Sequence, residues 1–241
     1  MKTALITGGT KGIGKAIALE FLKQGYEVAL NYNRDDRAAI FTQEEFNMLG
    51  YCPILLRADV SDEEQVKRMF TEFFSIFNKI DVLVNNAGIS LVRVIQDTSE
   101  YDWKKIFDVN VNGVFNCTKS VVDKMIGVGG GSIINVGSIW GEVGASCEVA
   151  YSASKGAVIA FTKALAKELG PSNVRVNCVS PGVIDTEMNS HLTETEMEDL
   201  VSQIPAGRIG SPEDVAKACL YLAEADYVTG EVLSVGGGFG K

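Results

Sequence analysis

The feature that most limits what this chain can fold into is an alternation. Short apolar runs, each ending in small or polar residues, recur along its 241 residues with helical patterns between them. The runs are TALIT (3–7), EVALNY (27–32), CPILLRAD (52–59), DVLVNNAG (81–88), SIINVGS (132–138), VRVNCVSPG (174–182) and EVLSVGGG (231–238). Ile13–Gln24, EEQVKRMFTEFFSIF (63–77) and WKKIFDVNVNGVFNCTKSVVDKMI (103–126) lie between them and read as helices. This order predicts an α/β fold, a doubly wound parallel sheet of about seven strands with helices on both faces. Continuous apolar runs suit strands that are covered on both sides. No linker, repeat or long charge run divides the sequence, so a single domain over 1–241 is expected. In such sheets the ligand crevice lies beyond the carboxyl ends of the strands, which is where chemistry is sought.

Several function classes are excluded early. A formal net charge of −9 argues against a nucleic-acid partner, which demands a basic footprint. No apolar run approaches the roughly 18–20 residues of a membrane span, and MKTALITGGTKG lacks the long apolar stretch of a signal peptide. A soluble, cytoplasmic protein is expected. Five scattered cysteines without CxxC spacing suit reduced thiols rather than disulfides or a metal site. The single histidine, His191, lies in the polar stretch MNSHLTETE and is expected at the surface. A serine or cysteine hydrolase needs a histidine relay, so acid–base chemistry here is expected to use another group.

TGGTKGIG (7–14) follows the first strand and opens the first helix. Its glycines permit a tight turn, and a helix N-terminus offers N–H groups and a positive dipole to a pyrophosphate. The spacing is GxxxGxG rather than the common GxGxxG. The second strand ends Asn31-Tyr32-Asn33-Arg34, with no acid before Asp35. A ribose-binding acid would mark NAD, whereas the cations Lys11 and Arg34 favour a 2′-phosphate and hence NADP(H).

Tyr151 and Lys155 in CEVAYSASKGA (147–157) are spaced i, i+4 and share a helix face. A free tyrosine has a pKa near ~10, and a nearby ammonium is expected to lower it. Such a pair can give a proton to a carbonyl oxygen, and Ser138 at a strand end can hydrogen-bond the same oxygen. The small neighbours Ala153 and Gly156 admit two readings, a ribose lying against the helix or close helix packing. TEMNSHLTETEMEDLVSQIPAGRIGSPED (186–214) breaks the rhythm and reads as a substrate lid or as a helical excursion.

With these motifs the sequence resembles the short-chain dehydrogenases/reductases over essentially its whole length. TGGTKGIG is similar to that family's cofactor motif, NNAG (85–88) to its central strand motif, SPGVIDT (180–186) to its nicotinamide-side loop and YVTGEVLSVGGG (227–238) to its last strand. The resemblance implies a Rossmann-like fold, a homotetramer, and a catalytic tetrad of Asn110, Ser138, Tyr151 and Lys155. Tyr151 would donate the proton, Lys155 would hold the nicotinamide ribose, Ser138 would orient the carbonyl and Asn110 would fix a water. Cofactor contacts would come from Gly8, Gly9, Thr10, Lys11, Gly12, Ile13 and Gly14, from Asn33 and Arg34, and from Asp59 and Val60 beside the adenine. Asn86, Ala87, Gly88, Pro181, Gly182, Ile184 and Thr186 would complete them, with Tyr151 and Lys155.

Within the family the chain is most similar to the 3-oxoacyl-acyl-carrier-protein reductases of fatty acid synthesis, which implies a carrier-bound thioester. Those enzymes carry basic residues before the strand that leads to the serine, where this chain has Lys124 alone in DKMIGVGGGSII. SIWGEVGASCEVAYSASKG also resembles the elongation factor P 5-aminopentanone reductases, through Trp140, Cys147 and Glu148. Ser138, Trp140 and Glu148 are therefore the candidate substrate contacts. A catalytically silent NADP-binding sensor or scaffold is the reading from another class.

Overall fold

Strand β1 (Thr3–Ile6) is buried along its whole length, as expected of a strand covered on both faces. It is an interior strand of a seven-stranded sheet with β2 (Glu27–Tyr32), β3 (Ile54–Arg57), β4 (Val82–Asn85), β5 (Gly131–Val136), β6 (Val174–Pro181) and β7 (Val232–Val235). The order is β3-β2-β1-β4-β5-β6-β7 and every pairing is parallel. Leu5 stands opposite Ala29 on one side and Leu83 on the other. The computed structural model describes residues 1–187 and 193–240, without the side chain of Glu194. His191 and part of the 186–214 segment thus lie outside the described residues.

Helices cover both faces. On one, α1 (Gly12–Lys23) packs with α9 (Pro212–Glu224), so that Ile17, Phe21, Val215 and Cys219 meet Ile6, Val84 and Ile134 of the sheet. On the other, α3 (Glu63–Ile76), α5 (Gly113–Gly127) and α7 (Val149–Leu169) bring Phe70, Phe73, Val121, Met125 and Leu169 onto Leu5, Leu83 and Ile133. Alternate residues of β1 therefore feed opposite cores. Each buried Phe or Leu contributes roughly 1.5–3 kcal/mol. The remaining helices are α2 (Asp36–Met48), α4 (Glu100–Phe107), α6 (Ile139–Val143) and α8 (Glu194–Ser202).

The order of the strands reverses at β1, because the chain leaves β3 and returns to lay β4 on the other side of β1. The carboxyl ends of β1 and β4 therefore flank a switch point, where a crevice opens.

One expected helix is divided. The segment read as continuous over 103–126 forms α4, then a π-helical turn at Asp108–Asn112, then α5. Helix α4 starts earlier than expected because Ser99 and Asp102 form a capping box before it. The wide turn buries Asn110, whose side chain makes three hydrogen bonds to neighbouring segments, and such turns concentrate at functional sites. In the 186–214 segment, α8 is opened by a capping box of Thr193 and Glu196. Among the described residues no helix is long and apolar enough to cross a membrane, and no group of His, Cys, Asp or Glu could hold a metal ion.

Candidate active site

The turn after β1 is laced to the end of β4. Thr7 N donates to Val84 O at 2.9 Å, and Thr7 Oγ1 accepts from the N–H groups of Asn86 and Ala87 at 2.9 and 3.0 Å. Asn86 Nδ2 donates back to the carbonyls of Thr7 and Gly8. Gly8 and Gly12 take φ of +61° and +49°, a region that glycine enters without penalty. A Cβ on Gly14 would stand 2.2 Å from Gly8 O, so only glycine lets α1 start this close to the turn. Helix α1 carries no side-chain cap, whereas Asp62, Ser99 and Ser211 cap α3, α4 and α9. The backbone N–H groups of its first turn are thus left for a ligand.

A cavity of about 790 Å³ runs from this turn across the carboxyl edge of the sheet. Its lining joins Gly8, Lys11, Gly12, Ile13 and Gly14 to Asn86, Ala87 and Gly88, and then to Ser138, Trp140, Glu148, Tyr151 and Lys155. Pro181, Gly182, Ile184 and Thr186 close one side. Seven of the residues expected at the site are not in the lining. Gly9 and Thr10 brace the turn instead, through Gly9 N to Asn31 O at 2.9 Å and Thr42 Oγ1 to Thr10 O at 2.9 Å. Asn33 donates to Asp59 at 2.9 Å at an exposed rim, and Arg34 is exposed beside them. Val60 packs where a side chain on residue 113 would be, its Cγ2 2.7 Å from a Cβ built on Gly113. Asn110 sits behind the cavity.

Ser138 ends the turn after β5 and caps α6, accepting from Trp140 N at 3.2 Å. Tyr151 and Lys155 lie in the first half of α7 and are 8% and 5% exposed. Lys155 Nζ donates to Val136 O at 2.8 Å and stands 5.7 Å from the centre of the Tyr151 ring. Asn110 Oδ1 accepts from Ile89 N at 2.9 Å, and its Nδ2 donates to Ile89 O and Ser154 Oγ at 2.9 and 3.0 Å. A Cβ on Gly88 would meet both Asn110 Oδ1 and Lys155 Nζ, at 3.3 and 3.5 Å, so the two side chains converge over that glycine.

The family model described as Enoyl-(Acyl carrier protein) reductase matches residues 8–240. The chain is 38% identical over 239 residues to the 3-oxoacyl-[acyl-carrier-protein] reductase FabG of Staphylococcus aureus, covering 98% of this chain and 97% of that one. The chain belongs to the short-chain dehydrogenase/reductase family. This dehydrogenase/reductase is also 40% identical over 241 residues to the uncharacterised oxidoreductase YmfI of Bacillus subtilis, covering 99% and 98%. A solved gluconate 5-dehydrogenase of Burkholderia cenocepacia, in complex with NADP and tartrate, superposes with a TM-score of 0.93 at 33% identity, covering 98% and 94%.

The electrostatics of this short-chain dehydrogenase/reductase site differ from the sequence expectation. Burial pushes the Tyr151 phenol up to about 12, offset in part by a hydrogen bond with Ser138 and reinforced by the negative charge of Glu148. Burial pulls Lys155 down to about 8. Desolvation therefore outweighs the attraction expected between the pair, since the ammonium turns to a backbone carbonyl and faces the ring. At the other end, Lys11 is paired with Asp35 at 2.6 Å and with Glu187 at 3.6 Å, and Asp35 also caps α2. Asp35, the first acid after the second strand, is thus the partner of the expected phosphate ligand Lys11.

Three supporting residues escaped the sequence reading. Thr7 ties the two strand ends together, Asn31 accepts from Gly8 N and donates to Ala58 O, and Ser154 receives Asn110. The first Thr of TGGTKGIG was in view, but nothing local distinguishes Asn31 or Ser154 from ordinary polar residues. Gly156 supports the packing reading, because a Cβ there would lie 3.4 Å from Gly141 O of α6.

Proposed function

We propose that the chain is an NADP(H)-dependent carbonyl reductase. The observation that carries this reading is that Ser138, Tyr151 and Lys155 share one cavity with the glycine turn at the uncapped start of α1. That turn is a cradle a Cβ would fill, and it suits a pyrophosphate. Lys11 and Arg34 are the residues to hold a 2′-phosphate, which would compete with Asp35 for the Lys11 ammonium. Lys155 would hold the nicotinamide ribose, with Asn86, Ala87, Gly88, Ile184 and Thr186 along the nicotinamide side. When bound, the cofactor supplies the hydride. Ser138 orients the carbonyl oxygen, and Tyr151, protonated across the physiological range, delivers the proton to it. Asn110 acts through the Ile89 backbone and a water toward Lys155. The presence of Ser138, Tyr151 and Lys155 together on the cavity wall weighs against a silent sensor.

The first substrate is a 3-oxoacyl thioester reduced to its 3-hydroxy form. The name of the Staphylococcus aureus relative supports it. A second reading, reduction of the 5-aminopentanone group on elongation factor P, is favoured by Glu148, which stands on the cavity wall beside Tyr151. Thr186, Glu187 and Leu200 on the wall support a lid function for 186–214. Family resemblance supports a homotetramer, which light scattering tests. NADPH-dependent turnover of a 3-oxoacyl thioester, compared with that of an aminoketone, decides between the substrates. Negligible thioester turnover beside fast aminoketone reduction rejects the first.

A further inference from the structure

The segment after β7 turns back onto α6. It leaves the sheet against the cavity wall, where Gly182 N donates to Val235 O at 3.0 Å and a Cβ on Gly182 would stand 2.7 Å from Gly236 Cα. Gly237 and Gly238 then take φ of +61° and +88°, which glycine adopts without penalty. A Cβ on Gly237 would meet Ile204 Cγ2 at 2.9 Å, and one on Gly238 would meet Pro205 Cγ at 2.9 Å. Ala206 N donates to Gly237 O at 3.0 Å, and Phe239 N donates to Gly236 O at 3.0 Å. The turn is thus fixed to the loop after α8, and it ends by burying one aromatic ring.

That ring belongs to Phe239, which is 8% exposed. It lies 5.5 Å from the ring of Trp140 at 68°, an edge-to-face pair. The two join Ile139, Val183, Leu200 and Ile204 in a small apolar cluster distinct from the two sheet cores. Trp140, Val183 and Leu200 line the cavity, and Phe239 stands behind Trp140. The backbone of Trp140 is held as well, its N–H donating to Ser138 Oγ at 3.2 Å. Trp140 therefore meets the cavity beside the residue that orients the carbonyl in the reading above. An indole backed by a buried ring cannot withdraw from a longer substrate without disturbing packed neighbours. The cavity of about 790 Å³ also has to seat a dinucleotide. One drug-sized ligand alone takes a pocket of roughly 300–1,000 Å³, so room beside Ser138 is short.

Resting on the reductase and thioester reading above, we propose that Trp140 limits acyl length, favouring short 3-oxoacyl groups over long ones, and that Phe239 is the positioning residue that holds its indole on the cavity wall.

The test uses N-acetylcysteamine thioesters of four-, eight- and twelve-carbon 3-oxoacyl groups, each reduced with NADPH. In the wild type, kcat/KM should fall at least about tenfold from the four-carbon to the twelve-carbon compound. Trp140→Val should raise the twelve-to-four ratio about tenfold or more through KM, since each methylene given room is worth about fourfold. Phe239→Ala should raise the ratio by less, and Phe239→Tyr, which keeps the ring, should leave it as in the wild type. A role of Phe239 in stability alone would lower both activities together and leave the ratio unmoved, which overturns its positioning role. A second readout needs no turnover. The chain has two tryptophans, so in a Trp103→Phe background Trp140 is the one indole. Phe239→Ala should shift its emission to longer wavelength, and an unshifted emission overturns the bracing. A ratio unchanged by Trp140→Val, or a wild type that reduces all three lengths equally, overturns the length limit and leaves the reductase reading intact. A wild type that reduces none of the three overturns the thioester reading, and the length limit with it.

Discussion

Lys155 Nζ donates to the carbonyl oxygen of Val136 at 2.8 Å. Val136 ends β5 two residues before Ser138, so this one bond registers the helix that carries Tyr151 against the strand that delivers Ser138. It is made by an ammonium 5% exposed, a position that costs the folded state.

That cost predicts a trade of stability for function at Lys155. Burial lowers its folded pKa from 10.5 to about 8. Between those values the unfolded chain binds more protons, so this group's contribution to stability rises with pH through that window. Below it the penalty is fully present, on the order of 3 kcal/mol. Lys155→Met should therefore abolish reduction while the thermal midpoint at pH 7 stays or rises. A midpoint several degrees lower would contradict this.

The same group sets a pH profile. kcat/KM for NADPH reports groups of the free enzyme. It should be level up to about pH 8 and decline above, as Lys155 loses its proton. Tyr151, pushed to about 12, stays protonated throughout. A profile that is flat to pH 9.5 would remove Lys155 from the reaction.

Tyr151→Phe removes the proton donor and leaves the shape of the cavity. NADPH oxidation should fall by roughly 10²–10⁴-fold. Cofactor affinity, followed by fluorescence titration, should stay within about threefold, because the phenol is one expected cofactor contact among many and phenylalanine keeps the ring.

Two glycines should respond in opposite ways to alanine. At Gly14 the new Cβ meets Gly8 O at 2.2 Å, so the turn cannot close, and both stability and NADPH affinity should drop. At Gly127, the last residue of α5, nothing lies within 4 Å, and alanine should stabilise by up to about 1 kcal/mol. Urea midpoints of the two variants provide the comparison.

Asn110→Ala should destabilise by roughly 1–3 kcal/mol, since it strips Ile89 N, Ile89 O and Ser154 Oγ of a partner. Activity should fall with it. A variant that keeps its urea midpoint but loses turnover would mean that Asn110 serves the reaction alone.

The strands were legible because each is an apolar run with a clear end, and EVALNY coincides with β2 at both ends. The fold follows from their alternation with helices. The expected tetrad came as a set from family resemblance, whereas the residues themselves marked Tyr151 and Lys155 by spacing and Ser138 by its place at a strand end. What the sequence concealed are effects of distance. Asp35 reaches Lys11 across 24 positions, and Arg93 reaches Cys147 across 54, and no local pattern announces either pairing. The balance between burial and attraction at Lys155 likewise depends on where Val136 lies.

The π-helical turn at Asp108–Asn112 has a further consequence, for what a deletion would do. A π turn holds one residue more than the α turn it stands in for, and its wider winding absorbs that residue. Removing one residue there would restore an ordinary helix, with Val114, Cys117, Val121 and Met125 of α5 still facing the core. What would be lost is the bulge that buries Asn110 against Ile89 and Ser154. The scaffold and the site are therefore separable at this turn: one residue serves the position of Asn110 and not the packing of α5.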